Sequence, residues 1–208
     1  MNNHSGNKIT QFIKEFTPEI LVFIGFCMVQ SILLNTDFWN DELYTLDQFT
    51  FVSISQTFSD YHVPNNHVLF NLINNIYLKL IGIGSLNELI ESPWKLRILP
   101  LIYSFFTLVF TYKIGLKFFS KNVGIIAAAI LVTTIPFFSY SLQIRGYGLS
   151  TLFLTALTYY SFSFLRNNKI SYLAAITLCT SLLFYTIPSN VYYIACSLFI
   201  LGIIALTN

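Results

Sequence analysis

Residues 94–113 read WKLRILPLIYSFFTLVFTYK, and residues 123–140 read VGIIAAAILVTTIPFFSY. Each is an apolar run close to the about 20 residues that a helix needs to cross a hydrocarbon core roughly 30 Å thick. A helix satisfies its backbone hydrogen bonds within one segment, as lipid demands. The runs are continuous instead of alternating residue by residue, which sets aside an outer-membrane barrel. Comparable runs recur at 147–165, 170–187 and 190–206, and an earlier one extends from Pro18 to Leu34. The whole chain agrees with them. Of its 208 residues 55% are hydrophobic and only 10% charged, too few polar groups to coat a soluble domain of this size. Mean hydropathy is +0.65. The expected fold class is all-α, a polytopic integral membrane protein of about six transmembrane helices.

Charges and prolines divide the chain. A single transmembrane domain over 1–208 is expected, with a cytoplasmic tail over 1–17 and a first span over 18–35. An outer loop over 36–93 and five further spans over 94–206 follow. Pro18 suits a first helical turn, where its missing N–H costs nothing. The run ends in Asn35-Thr36-Asp37 instead of a small-residue cleavage site, so it reads as an uncleaved anchor. Asp37, Asp41, Glu42, Asp47 and Asp60 make the loop too acidic for lipid. Within it, residues 66–83 place His67, Asn71, Asn74, Asn75 and Lys79 on one helical face, the pattern of an amphipathic helix lying at the interface. Pro136 is expected to bend or end its helix.

The basic residues set the orientation. With 66–83 kept at the surface, Lys8, Lys14, Lys113, Lys117, Lys121, Arg166 and Lys169 share one side, which the positive-inside rule makes cytoplasmic. The acidic loop then faces outward from a plasma or inner membrane. Net charge is only +2, with no basic run interleaved with aromatics, so no nucleic-acid partner is expected. Cys27, Cys179 and Cys196 lie in apolar runs and read as packing residues.

Reactive side chains gather on the outer side. Asp41 and Glu42 are adjacent carboxylates between Trp39 and Tyr44, a solvated acidic stretch or a base with a compensating cation. His67 follows Asn66 at the start of the interfacial helix, where it either caps that helix or serves a site. Arg97 opens a span, and Arg145 lies in the short turn 141–148, SLQIRGYG. An arginine there snorkels to lipid phosphate or offers its forked donors to the phosphate of a lipid-linked substrate. Gly146 and Gly148 would let the backbone approach a ligand closely.

The order of these elements along 37–160 resembles the N-terminal half of membrane glycosyltransferases of the GT-C fold, of the protein O-mannosyltransferase and lipid A aminoarabinose transferase type. The outer-loop Asp-Glu and the Arg-x-Tyr carry the likeness best. The resemblance implies that Asp41 is the general base and Glu42 the companion that shapes the acceptor site. It implies that Asn66 and His67 contribute to substrate binding, although Val68 replaces the family's proline after the histidine. Arg145 and Tyr147 fall where the family places the donor phosphate, and Arg97 matches the arginine that opens the second span.

The expected function is an inverting glycosyl transfer from a polyprenyl-phosphate-linked sugar to an acceptor hydroxyl of a glycan, lipid or protein on the non-cytoplasmic side. Membrane lipids are its surroundings. No cofactor is required, and a divalent metal at Asp41, Glu42 and His67 is the alternative. The competing readings are a transporter or flippase component and a non-catalytic subunit of a glycan-assembly complex. Family members carry more spans, so a stop at Asn208 reads as a fragment, a truncated product or a minimal relative.

Overall fold

The computed structural model describes residues 3–63 and 66–207, with side chains from Pro18 onward except that of Ala205. Pro64 and Asn65, which precede the Asn66-His67 pair, lie outside the described residues, as do the side chains of Lys8 and Lys14. Among the described residues all regular structure is helical. Helix α1 spans Asn3–Ile32. The segment 33–93 holds α2 (Asn40–Thr45), a π-helical turn (Leu46–Thr50), α3 (Ile54–Ser59), α4 (Val68–Leu80) and α5 (Leu86–Ile90). Then come α6 (Trp94–Phe118), α7 (Lys121–Thr133), α8 (Ile135–Tyr140), α9 (Tyr147–Asn167), α10 (Ile170–Thr186) and α11 (Val191–Thr207).

Among the described residues only α6 and α9 are both long and apolar enough to cross a membrane alone. The apolar stretches Pro18–Ile32, Lys121–Thr133, Ile170–Thr186 and Pro188–Ile204 are shorter. One expectation changes. Pro18 lies inside α1 instead of opening it, because Ile9, Phe12, Ile13 and Phe16 already repeat at helical spacing before it. The run 123–140 breaks beside Pro136, as that proline led one to expect: Thr134 is extended, and α7 and α8 are separate pieces.

Three clusters hold the helices together. Phe26 of α1 meets Leu108 of α6, Ala128 of α7 and Phe137 of α8. Leu157 of α9, Cys179 and Leu183 of α10 and Ile194 of α11 form a second. The third joins the loop to the bundle: Leu46, Phe70, Leu78 and Leu89 pack on Leu96 and Tyr103 of α6 and on Ile144 and Leu149. The loop is therefore a folded cap on one end of the bundle. At the opposite, basic end Glu19 accepts from Tyr112 Oη at 3.1 Å and pairs with Lys121 Nζ at 2.9 Å, which ties α1, α6 and α7.

The α4 helix is packed on both of its faces. Asn71, Asn74 and Asn75 are buried, while Ile76 and Leu80 are exposed. Its polar face points into the cap. Asn75 donates to the Val52 carbonyl and Thr57, and Thr50 donates to Asn71. Phe70 and Leu78 of the same helix pack into the apolar cluster under the cap, which leaves Ile76 and Leu80 exposed.

Between α6 and α7 the backbones touch at two glycines. A Cβ on Gly115 would lie 2.3 Å from the Gly124 Cα. Gly115→Ala is expected to cost about 1–3 kcal/mol by overpacking, read as a lower unfolding temperature in detergent. Gly25→Ala, with open space around it, is expected to leave that temperature unchanged.

Candidate active site

The site grows from the first turn of α2. Glu42, three residues after Trp39, reaches back so that its Oε2 accepts the Trp39 N–H at 2.8 Å. The same carboxylate meets the guanidinium of Arg97 in a two-point contact: Nη1 to Oε1 at 3.2 Å and Nη2 to Oε2 at 3.1 Å. Oε1 also accepts the Ile144 N–H at 2.5 Å. Both side chains are buried, with Glu42 1% and Arg97 3% exposed. A buried charge pair is tolerated when every lone pair and N–H is engaged, and here they are. Arg97 gives its remaining N–H groups to the carbonyls of Thr36, Asp37 and Leu142, so all five of its donors are used. The guanidinium also lies over the Phe38 ring at 4.9 Å.

One clamp thus gathers the end of α1, the start of α2, the first turn of α6 and the turn between α8 and α9. Its consequence is the placement of the two neighbours, Asp41 and Arg145. Asp41 Oδ2 lies 3.2 Å from Arg145 Nη1. The arginine side chain is 6% exposed and the aspartate 77%, so a buried cation holds a carboxylate whose other side is open.

His67 supports this pair from below. The Gly146 N–H donates to His67 Nδ1 at 2.8 Å, so the neutral ring carries its proton on Nε2. The approach is close: a Cβ at 146 would lie 3.1 Å from the imidazole, so His67 would have to shift by a few tenths of an ångström to admit one. Burial, and then the nearby Arg145 charge, push the His67 pKa down to about 4. Tyr147 stands edge-on to His67 with 5.4 Å between ring centres, against Tyr140 at 4.9 Å and beneath the Arg145 guanidinium at 5.6 Å.

The structure brings Asp41, Glu42, His67, Arg97, Arg145 and Tyr147 to one place, with different tasks. Arg97 and Glu42 satisfy each other and act through the backbone they fix. Asn66 is a loop fastener: its Nδ2 donates to the carbonyls of Thr57 and Asp60 at 3.1 and 2.6 Å, and its Oδ1 accepts from Asn71 at 2.9 Å. Gly146 packs against the His67 ring. Asp41, Glu42 and His67 turn to three different partners, and among the described residues no three His, Cys, Asp or Glu side chains group as a metal site. Sequence reasoning missed the clamp, because residues 42, 97 and 144 share no local pattern. The two-carboxylate step in 41–42 followed by buried arginines was its only signal.

A family model described as dolichyl-phosphate-mannose-protein mannosyltransferase matches residues 83–207. The match contains Arg97, Arg145 and Tyr147 and begins after Asp41, Glu42, Asn66 and His67. No curated protein and no solved structure matches the chain.

Arg97→Met is expected to lower stability by about 3–5 kcal/mol, because it leaves the Glu42 charge buried and unpaired. Adding Glu42→Gln is expected to restore much of the loss in equilibrium unfolding. The depressed His67 pKa has its own signature. At pH above 6.5 folded and unfolded forms both carry neutral histidine. As pH falls from 6.5 towards 4, only the unfolded form takes up the proton, so stability declines across that window. Unfolding midpoints against pH should show this decline in the native chain and lose it in His67→Asn.

Proposed function

The chain belongs to the dolichyl-phosphate-mannose-protein mannosyltransferase family, and we propose that it inverts the anomeric centre of a sugar as it moves it from a polyprenyl-phosphate donor to an acceptor hydroxyl. Membership makes it a membrane glycosyltransferase of the GT-C type. The observation that carries the finer reading is the Asp41–Arg145 contact, an open carboxylate held beside a buried guanidinium.

Such a donor keeps its prenyl tail in lipid and presents its phosphosugar at the surface. The cap on the end of the bundle stands at that level. In this reading α7 and α8 form one broken span, α1, α6, α9, α10 and α11 supply the other five, and the Lys117–Lys121 end is cytoplasmic. Asp41 then works on the outer face, within reach of headgroups.

The leaving phosphate needs no strong acid. Arg145 faces the charge that grows on it as the anomeric C–O bond breaks, in surroundings where a fixed cation is worth more than in water. Asp41 takes the acceptor proton while the hydroxyl oxygen attacks the anomeric carbon from the side opposite the phosphate. One displacement with no covalent intermediate inverts configuration. His67 stays neutral beside Arg145 and so does not compete for the phosphate, while Tyr147 supports the guanidinium. Glu42 and Arg97 hold these groups at their spacing. This chemistry calls for no cofactor.

Asp41→Asn is expected to insert normally and to lose about 10²–10⁴-fold in transfer rate, measured with a labelled polyprenyl-phosphate sugar and the chain in lipid nanodiscs. Arg145→Ala is expected to raise the donor dissociation constant. Full transfer by Asp41→Asn, or unchanged donor affinity in Arg145→Ala, would sink the respective role.

A further inference from the structure

The basic end of the bundle is short of anions. From Ser92 to Asn208 the sequence has eight Lys and Arg residues and not one Asp or Glu. Among the described side chains the carboxylate at this end is Glu19, already engaged by Lys121 and Tyr112. Lys117, in the last turn of α6, is held by other means. Its Nζ donates to Ser163 Oγ at 2.7 Å and to Tyr159 Oη at 3.3 Å. The ammonium also lies over the rings of Tyr159, Tyr172 and Phe118, at 4.6, 5.1 and 5.3 Å from their centres. Hydroxyls and ring faces orient an ammonium without cancelling its charge, and among the described residues its third N–H has no partner. Arg166 Nη1 donates to the Lys117 carbonyl at 3.0 Å, which sets a second, exposed cation at the same turn.

From this cage an apolar cleft runs along α6, α9 and α10. Its volume is about 260 Å³, and its walls include Phe106, Phe110, Phe153, Tyr160, Ala175 and Leu178. Aromatic rings join cage to cleft: Tyr159 meets Phe110 with 5.7 Å between ring centres, and Tyr172 meets Tyr160 at 6.3 Å. The rise of α6 from Phe106 to Lys117 is about 16 Å, close to half of a hydrocarbon core about 30 Å thick. That is the depth of one leaflet.

We infer that cage and cleft together bind one anionic phospholipid of the leaflet at the basic end, with its phosphate on Lys117 and Arg166 and an acyl chain in the cleft. Apolar walls that end at a cation match an amphiphile whose chain ends at an anion. A soluble anion would leave the walls bare, and a zwitterionic headgroup would bring its own cation beside Lys117. Seated there, the lipid joins α6, α9 and α10 at their basic ends. The site lies at the opposite end of the bundle from Asp41 and Arg145 and does not depend on the chemistry proposed for them.

The test places the full chain in nanodiscs of phosphatidylcholine and phosphatidylglycerol, in equal amounts and with matched chains. Native mass spectrometry then counts the lipids that stay bound on release. Phosphatidylglycerol should outnumber phosphatidylcholine about fivefold, the worth of one lysine at an anionic surface. Lys117→Met keeps the stem among the rings, removes the charge and should abolish this preference. Leu178→Trp fills the cleft from a position 59% exposed and should lower retention of both lipids, a readout that stands even if Lys117→Met does not fold. Lys169→Gln removes an exposed charge from the same end and should leave the preference unchanged. Equal retention of the two phospholipids, equal loss in Lys117→Met and Lys169→Gln, or retention that ignores Leu178→Trp would each overturn the site. So would displacement of phosphatidylglycerol by an equal concentration of glycerol 3-phosphate, which has no chain, or of a polyprenyl phosphate, which would make this a carrier site.

Discussion

The buried contact between Glu42 and Arg97 is the constraint on which the rest of the site depends. A carboxylate and a guanidinium taken out of water need a complete set of partners, or the desolvation cost dominates. Completing that set recruits backbone from five places: Thr36, Asp37, Trp39, Leu142 and Ile144. Segments far apart in the chain are thereby fixed at hydrogen-bond precision. Asp41 and Arg145 each sit one residue from an anchored position, so their separation is set by the clamp more than by their own attraction, which an exposed carboxylate makes weak.

The cap repeats this strategy in neutral form. Asn75 and Asn66 fasten the Val52, Thr57 and Asp60 carbonyls, and Asn71 holds Asn66 in place, so the short helices of the cap are tied to one another by side-chain amides. Leu46, Phe70 and Leu89 then seat it on α6 and α9. Polar bonds thus order the cap internally, and apolar contact fixes it to the bundle.

The bundle was largely legible in the sequence. Hydropathy marked the starts of α6, α9 and α10 at Trp94, Tyr147 and Ile170, because charges and prolines interrupt the apolar runs there. The residues of the site were legible as a set through their order along the chain. Their division of labour was not. Hydropathy cannot show that Arg97 spends every donor on its own protein, since that depends on contacts across 45 to 61 positions. Nor does periodicity give direction: it put Asn71, Asn74 and Asn75 on one face of α4 but could not say that the face turns inward. Pro18 misled for a related reason, since a proline favours a helix start without forbidding a helix that already runs through it.

The glycine contact at the basic end has a mechanical side. At Gly115 and Gly124 the two helices meet backbone to backbone. Farther along the same pair, between Ser104 of α6 and Leu131 of α7, a cavity of about 220 Å³ reaches Gly148 at the start of α9. The spacing of α6 and α7 is therefore set by direct backbone contact near Lys121, while beside α8 the same two helices are separated by open volume instead of side chains.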